Sequence, residues 1–486
     1  METYDKDLKS IQEARDLSTR AFTAWKEWSK ASQEQVDRVC AAMAAVAFDT
    51  SERLGIMAHQ ETGYGVAEHK HLKNQLASRH VWESIKNLNT VGVVRHDVEK
   101  KIYEIAWPMG VIAGLTPSTN PTSTVMYKIL VAVKARNAIV IAPHPAAVRC
   151  CYETTRIMAQ AAIENGAPEG LIACMQTISL EGTQELMRHK YVALILATGG
   201  TPMVRAAHST GKPAIGVGPG NVPVYVDRSA DLEKAARYIV ASKAFDCSTI
   251  CATEQSVVAD APIASRLEGL MQRESAYFTN PRETDLLRKL LFHPDGTMNT
   301  VAVGKPVDYV AGLAGFPVPR GTRILVTKLT KTGKEEPLSR EKLTTVLGWY
   351  EEEGWEAGCE RCIELIQFGG RGHSLIIHAT DEDVIMAFGL EKPVFRIGVN
   401  TMGTLGAVGL TTGVMPSMTL GAGGVGGSIT GDNVSAVHLM NIKRLAYEIS
   451  PPPLAAMMPG HPKPDPTPME IEKAVREAVE DILNIQ

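Results

Sequence analysis

The sequence has almost no surplus of charge: 54 acidic against 50 basic side chains among 486 residues leave a formal net charge of −4. No basic field exists to hold a polyanion, so nucleic acid is not an expected partner. The sequence also lacks the roughly 18 uninterrupted apolar residues that a membrane span requires. Its charged opening, METYDKDLKS, has no apolar core of a secretory signal. We therefore expect no membrane partner and a cytoplasmic location. Cysteine is scarce, with Cys40, Cys150, Cys151, Cys174, Cys247, Cys251, Cys359 and Cys362 spread over the whole length. That spacing does not form a disulfide framework, and the thiols are expected to be reduced. Cys359 and Cys362 make a lone C-x-x-C without a second ligand pair, which we read as structural, with no metal site expected. What is present is ordinary globular composition, 44% hydrophobic and 21% charged, long enough for two or three domains and suited to small-molecule ligands.

Residues 8–89 carry a helical pattern, with Val36, Val39, Met43 and Val46 recurring at steps of three and four. Residues 91–105 read as extended. Apolar runs then alternate with helical segments: Gly110-Val111-Ile112-Ala113-Gly114, Ala138-Ile139-Val140-Ile141, Leu171-Ile172-Ala173, Val192-Ala193-Leu194-Ile195-Leu196 and Val222-Pro223-Val224-Tyr225-Val226. Short buried strands in alternation with helices imply an α/β fold with a doubly wound parallel sheet. A second series, through Ser256-Val257-Val258, Arg323-Ile324-Leu325-Val326 and Ser374-Leu375-Ile376-Ile377, implies a second such domain and a cleft between the two. The glycine-rich stretch 398–431 is expected to pack closely against a ligand or another subunit, or else to be simple low complexity.

Four segments carry chemistry. Cys251 sits in Phe245-Asp246-Cys247-Ser248-Thr249-Ile250-Cys251-Ala252-Thr253-Glu254-Gln255, a polar turn before an apolar strand, where a reactive thiol would be displayed. Position alone does not separate it from a small buried hydrophobe. Pro117-Ser118-Thr119-Asn120-Pro121-Thr122 follows a strand and precedes a helix expected to start near Ser123. The Asn120 amide there either donates to a developing oxyanion or caps the helix. Leu196-Ala197-Thr198-Gly199-Gly200-Thr201 also joins a strand to a helix, so its free N–H groups suit a pyrophosphate. Pro143-His144-Pro145 stands where the adenosine side of that crevice would be; a plain turn would look the same.

Together with Ser209-Thr210-Gly211-Lys212-Pro213-Ala214-Ile215-Gly216-Val217-Gly218-Pro219-Gly220-Asn221, these segments resemble the aldehyde dehydrogenase superfamily, specifically its CoA-acylating branch. The resemblance covers residues 10–447. It implies two doubly wound parallel-sheet domains with a small β oligomerisation arm. The cofactor-binding domain would be residues 1–95 and 110–225, the thiol domain 226–425, and the arm 96–109 with 426–450. Cys251 is implied as nucleophile and Asn120 as oxyanion donor. Thr116, Pro117, His144, Pro145, Thr198, Gly199, Gly200, Gly218 and Glu341 are implied around the cofactor, Glu341 at the nicotinamide ribose. NAD is the cofactor implied, with NADP left open because residues 142–147 offer no acidic partner for the ribose; CoA is the co-substrate and a homodimer or homotetramer the assembly. Hydrolytic members keep a glutamate in the segment matching Val217-Gly218-Pro219-Gly220, and this sequence has none there. A thioester on Cys251 would then await the CoA thiol rather than water. Acetaldehyde or propionaldehyde is the default substrate, with sulfoacetaldehyde, a hydrolytic enzyme releasing free acid, and a catalytically silent scaffold as the rivals.

Beyond residue 450 the composition changes. Residues 451–468 form a Pro-rich linker, and 469–486 an amphipathic helix with a capping box of Thr467 and Glu470 and an apolar stripe of Ile471, Val475, Val479, Ile482 and Leu483. The helix resembles the targeting peptides that load such enzymes into bacterial microcompartments, which implies a shell protein as a partner; packing on the oligomer is the alternative.

Overall fold

The computed structural model describes residues 5–453 and 465–483. Residues 454–464, with Pro459, Pro462 and Pro464 of the linker, and the side chains of Ile482 and Leu483 lie outside the described part. Residues 8–89 are helical as expected. Gln33–Asp49 shows why: Ser32 accepts the Gln35 N–H at 3.2 Å, and Val36, Val39, Cys40, Met43 and Ala47 fall on one buried stripe.

Two parallel sheets follow. The five-stranded sheet is built from β3 (Val111–Thr116), β4 (Ala138–Pro143), β5 (Ile172–Cys174), β6 (Val192–Thr198) and β7 (Ala214–Val217) in the order β5-β4-β3-β6-β7. The seven-stranded sheet holds β8 (Val222–Val226), β9 (Glu254–Asp260), β10 (Ala276–Phe278), β11 (Ile324–Lys328), β12 (Val346–Glu352), β13 (Leu375–His378) and β14 (Ile397–Val399) in the order β10-β11-β12-β9-β8-β13-β14. β3, β4, β8 and β9 are buried along their whole length, β3, β4 and β8 as largely apolar runs covered on both faces, β9 with Glu254, Gln255, Ser256 and Asp260 flanking Val257-Val258-Ala259. In the first sheet the chain runs outward from β3 to β5 and returns beside β3 at β6. The loops after β3 and β6 therefore diverge, and a crevice opens between them.

One strand differs from the sequence reading. The run Val222–Val226 reads from sequence as the last strand of the first series, but it pairs with β9 and β13 in the second sheet, Val224 opposite Val257. β7 already takes the edge beside β6, and residues 218–221 carry the chain across. Within the glycine-rich stretch, Val408, Met418 and Leu420 line the cleft described below, and two glycines pack closely on the chain itself. A Cβ at Gly431 would lie 2.6 Å from the Phe395 ring, and one at Gly421 2.4 Å from the Thr430 carbonyl oxygen.

Both sheets belong to one compact unit, Met1–Gly92 with Ala106–Ile442. The other unit, Val93–Ile105 with Lys443–Gln486, carries most of a three-stranded sheet ordered β1 (Gly92–Asp97), β2 (Ile102–Pro108) and β15 (Met440–Ala446). In it His96 stacks on Tyr103, Arg444 meets Glu104 at 3.2 Å, and Val93, Leu445, Tyr447 and Ile449 are exposed. Its tail helix, Pro468–Leu483, starts with the expected capping box: the Thr467 N–H donates to Glu470 at 2.8 Å and the Glu470 N–H to Thr467 Oγ1 at 3.3 Å. Ile471, Val475 and Val479 are exposed. No helix among the described residues is long and apolar enough to cross a membrane.

Candidate active site

A cleft of about 250 Å³ opens at the C-terminal ends of β3 and β6. Its walls bring together Pro117 and Asn120 after β3, His144 after β4, Thr198, Gly199 and Gly200 after β6, Gly218 after β7, Cys251 before β9, and Glu341. Thr116 and Pro145 are not among these residues. Thr116 ends β3 inside the core, its hydroxyl 3.6 Å from Cys151 Sγ, and Pro145 begins a short exposed turn.

Each wall follows from local sequence. Gly200 is the N-cap of the helix Thr201–His208 and offers it no side chain; Pro202 has no N–H and the Met203 N–H donates to Gly200 O at 3.0 Å, so the Thr201 N–H is the one left for a ligand. A Cβ at Gly218 would meet nothing within 4 Å, so the glycine keeps open space beside the thiol. Gly220 has the opposite reason. A Cβ there would lie 2.2 Å from the Cys251 carbonyl oxygen and 3.0 Å from the His373 ring, so only glycine fits.

Cys251 is half-buried, and burial, with the Glu341 carboxylate second, pushes its thiol up to about 12; the Arg396 guanidinium and the N–H groups of Cys251 and Ala252 pull it down. At neutral pH it is a thiol. Burial also raises Glu341 to about 7, against the Gly220 N–H that reaches Oε1 at 2.9 Å. Arg396 is spent on carbonyls, donating through Nη1 to Gly421 O at 2.8 Å and His373 O at 3.1 Å. Burial and Arg396 push His373 down to about 3, so its ring is neutral.

The helix after Asn120 runs Pro121–Lys134, two residues earlier than expected, because Pro121 suits the first helical position. Asn120 occupies the cap position, yet its side chain does not cap. Its Nδ2 donates to Thr249 O at 2.9 Å and to Thr119 Oγ1 at 3.2 Å, while Oδ1 accepts from Lys73 Nζ. The capping alternative thus fails.

The thiol loop rests on a buried charge cluster that sequence reasoning missed. Lys70 and Lys73, on the helix Ala67–Gln75, both donate to Asp246, five residues before Cys251; all three are at most 3% exposed. Burial opposes the Asp246 charge, but Lys73 and Lys70 hold its carboxyl below the usual range; burial pulls Lys73 down to about 8 against Asp246. Asp246, Cys247 and Ser248 have φ of 48°, 50° and 67°, three successive non-glycine residues in the left-handed region.

Two doubly wound parallel sheets that close on a thiol, with a bare helix start on the facing wall, define a class of dinucleotide-cleft proteins with a candidate nucleophilic cysteine. The model of the aldehyde dehydrogenase family matches residues 1–284, and the chain belongs to that family. It is similar to an aldehyde-alcohol dehydrogenase of Streptococcus pneumoniae, 42% identical over 408 residues, which are 82% of this chain and 46% of that protein. The chain thus spans about half the length of such relatives. Among solved structures it is similar to an acetylating aldehyde dehydrogenase of Geobacillus thermoglucosidasius, with a TM-score of 0.91 and 46% identity over 92% of this chain and 99% of that one. It is also similar to a Rhodopseudomonas palustris propionaldehyde dehydrogenase solved with bound CoA and an acylated cysteine, at a TM-score of 0.81 and 27% identity over 89% and 97% of the two chains.

Proposed function

We propose that this chain converts a short-chain aldehyde, NAD and CoA into acyl-CoA and NADH, reversibly, with Cys251 as nucleophile. The observation that carries the reading is the meeting of Cys251, Asn120 and the uncapped helix start at Gly200 on one cleft whose segment 217–220 holds no carboxylate. When bound, the nicotinamide dinucleotide supplies a hydride acceptor. Thr198, Gly199 and Gly200 would hold its pyrophosphate, Pro117 and His144 the adenosine side, and Glu341 the nicotinamide ribose.

Cys251 releases its proton to solvent and adds as thiolate to the aldehyde carbon, the carbonyl electron pair moves onto oxygen, and the oxyanion is met by the N–H groups at Cys251 and by Asn120 Nδ2, which exchanges its 3.2 Å bond to Thr119 Oγ1 for this one. Loss of hydride then leaves a thioester on Cys251. In thiolysis the CoA sulfur bonds to the acyl carbon, the bond to Cys251 breaks, and Cys251 departs as thiolate and is reprotonated. Val217, Gly218 and Pro219 line the cleft without offering a base for water. A hydrolytic enzyme is the second reading, favoured by one observation: Glu341, raised to about 7, is the single carboxyl side chain on the cleft wall among the described residues.

The same wall argues for an uncharged aldehyde such as acetaldehyde or propionaldehyde over sulfoacetaldehyde. Met203, Ile250, Leu343, Val408, Met418 and Leu420 are apolar, and Glu341 would repel an anion. The exposed apolar side chains of the three-stranded sheet support homodimer or homotetramer assembly through this arm, and the exposed stripe of the tail helix supports docking on a microcompartment shell protein. Deleting residues 466–486 separates these: lost co-purification with shell proteins at unchanged oligomer mass supports targeting, and a changed mass assigns the helix to the oligomer. For the reaction, NADH formation from acetaldehyde and NAD is measured with and without CoA, beside Cys251→Ala. Strict CoA dependence that vanishes in the variant supports the proposal; equal turnover without CoA selects the hydrolytic reading.

A further inference from the structure

Asn120 has an arrangement that helix capping does not explain. Its amide is held at both ends, Nδ2 on Thr249 O and Thr119 Oγ1, Oδ1 on Lys73 Nζ. An ammonium can only donate, so Lys73 fixes which end of the amide carries the N–H groups. It also draws electron density toward Oδ1 and strengthens Nδ2–H as a donor. Lys73 reaches the thiol loop at the same time, through Asp246 and through Thr249 Oγ1 at 3.3 Å. Lys70, on the same helix face, donates to Thr119 O at 3.0 Å and to Asp246 Oδ2 at 3.2 Å. Asp246 completes its shell with the Val66 N–H at 2.7 Å and Thr249 Oγ1 at 2.6 Å. Two ammonium groups and the one carboxylate they share are thus buried where the loop of the amide donor meets the loop of the thiol. A buried ion cluster is poor stabilisation compared with apolar packing, so its presence at this junction calls for another reason.

We propose that Lys73 is a positioning residue for the oxyanion: acting through Asn120, it orients and polarises the amide that receives negative charge when Cys251 adds to a carbonyl. The inference rests on the proposed roles of Cys251 and Asn120. In this step the sulfur–carbon bond forms, the carbonyl electron pair moves to oxygen, and Lys73 keeps its proton throughout. Its ammonium bonds the Oδ1 end of the amide, and Lys73 is not among the residues that line the cleft.

The test compares two reactions of the same thiol in the full chain: CoA-dependent oxidation of acetaldehyde, which passes through an oxyanion, and alkylation by iodoacetamide, which does not. Lys73→Met is expected to lower kcat about 10²-fold, the scale of losing one oxyanion donor, with KM and the alkylation rate each changed less than about threefold, and Lys73→Arg is expected to recover at least tenfold. Parallel loss of oxidation and alkylation would overturn the proposal, since Lys73 would then only hold the loop; unchanged kcat would overturn it as well. Asn120→Ala separates this from failure of the underlying reading. If Asn120→Ala leaves kcat intact, the oxyanion role of Asn120 is wrong; if it lowers kcat and Lys73→Met does not, only the Lys73 proposal falls. In the Asn120→Ala background Lys73→Met should add less than threefold, and full additivity would contradict action through Asn120. Should Lys73→Met misfold, Lys73→Gln keeps an N–H donor toward Asp246 without the charge and leaves Lys70 paired with Asp246, and the same split between slow oxidation and intact alkylation is expected, parallel loss again overturning the proposal.

Discussion

The two walls of the cleft are built on different principles. The wall from the five-stranded sheet is backbone and small side chains: the loop of Thr198, Gly199 and Gly200 needs no charge, because the diverging loops after β3 and β6 make the crevice and the uncapped start of the Thr201–His208 helix presents the Thr201 N–H. The thiol wall is pinned by Lys70, Lys73 and Asp246 under a turn with three left-handed residues. A wall for a ligand that comes and goes can be generic backbone. A wall that must hold one sulfur against one amide is fixed by paired charges drawn from far along the chain.

The contrast can be broken at its strongest point with Asp246→Ala. Two buried ammonium groups would lose their counter-ion, and we expect a loss of about 3–5 kcal/mol in stability, measured by denaturant unfolding, together with loss of turnover. A loss below about 1 kcal/mol, the scale of an exposed pair, would mean that the turn holds itself.

Next in size is a pH effect. Because burial and Glu341 raise the Cys251 thiol to about 12, above its ordinary value, the fraction of thiolate should climb tenfold per pH unit throughout the range below 10. Iodoacetamide alkylation followed by peptide mass should show no plateau there; a plateau near pH 8 would place the thiol in an activated state instead. Glu341→Gln sharpens the same point. Removing a carboxylate that raises the Cys251 pKa should lower it and speed alkylation at pH 8 by roughly three- to tenfold, and slower alkylation would reverse the assigned sign.

The smallest effect belongs to the generic wall. Gly200 has φ −67°, and a Cβ there would meet only Pro202 Cδ at 3.7 Å. Gly200→Ala should change KM for NAD by less than about threefold, as expected where neither φ nor space requires glycine, read from initial rates. A hundredfold rise would show that the backbone wall is as exacting as the thiol wall.

The same contrast explains what the sequence made legible. β3, β4 and β6 hold runs of four or more consecutive residues without a polar side chain, β9 and β13 hold buried runs of three, Val257-Val258-Ala259 and Leu375-Ile376-Ile377, and such runs are visible at once. β10 and β14, three residues each, are too short to show a period, and β12 ends in Tyr350-Glu351-Glu352, which dilutes its apolar start. Sheet membership was less visible: β8 looks like its neighbours, and only pairing with β9 and β13 assigns it. Cys251, Asn120, the Thr198 loop, Gly218 and Glu341 were found because each lies in a recognisable local segment, and they do share the cleft. Thr116 and Pro145 belong to those segments but point elsewhere, a difference that local pattern does not encode. Lys70 and Lys73 had no signal at all. Two lysines three apart in Ala67–Gln75 look like a solvated helix face, and their partner Asp246 stands more than 170 residues away.

The most direct measurement of the central claim is to incubate the protein with acetyl-CoA, without reduced cofactor, and weigh the peptide that contains Cys251. Acyl exchange through this thiol predicts an acetyl increment on that peptide, removed by free CoA and absent in Cys251→Ala. An unmodified Cys251 in a preparation that turns over acetaldehyde with CoA would contradict it.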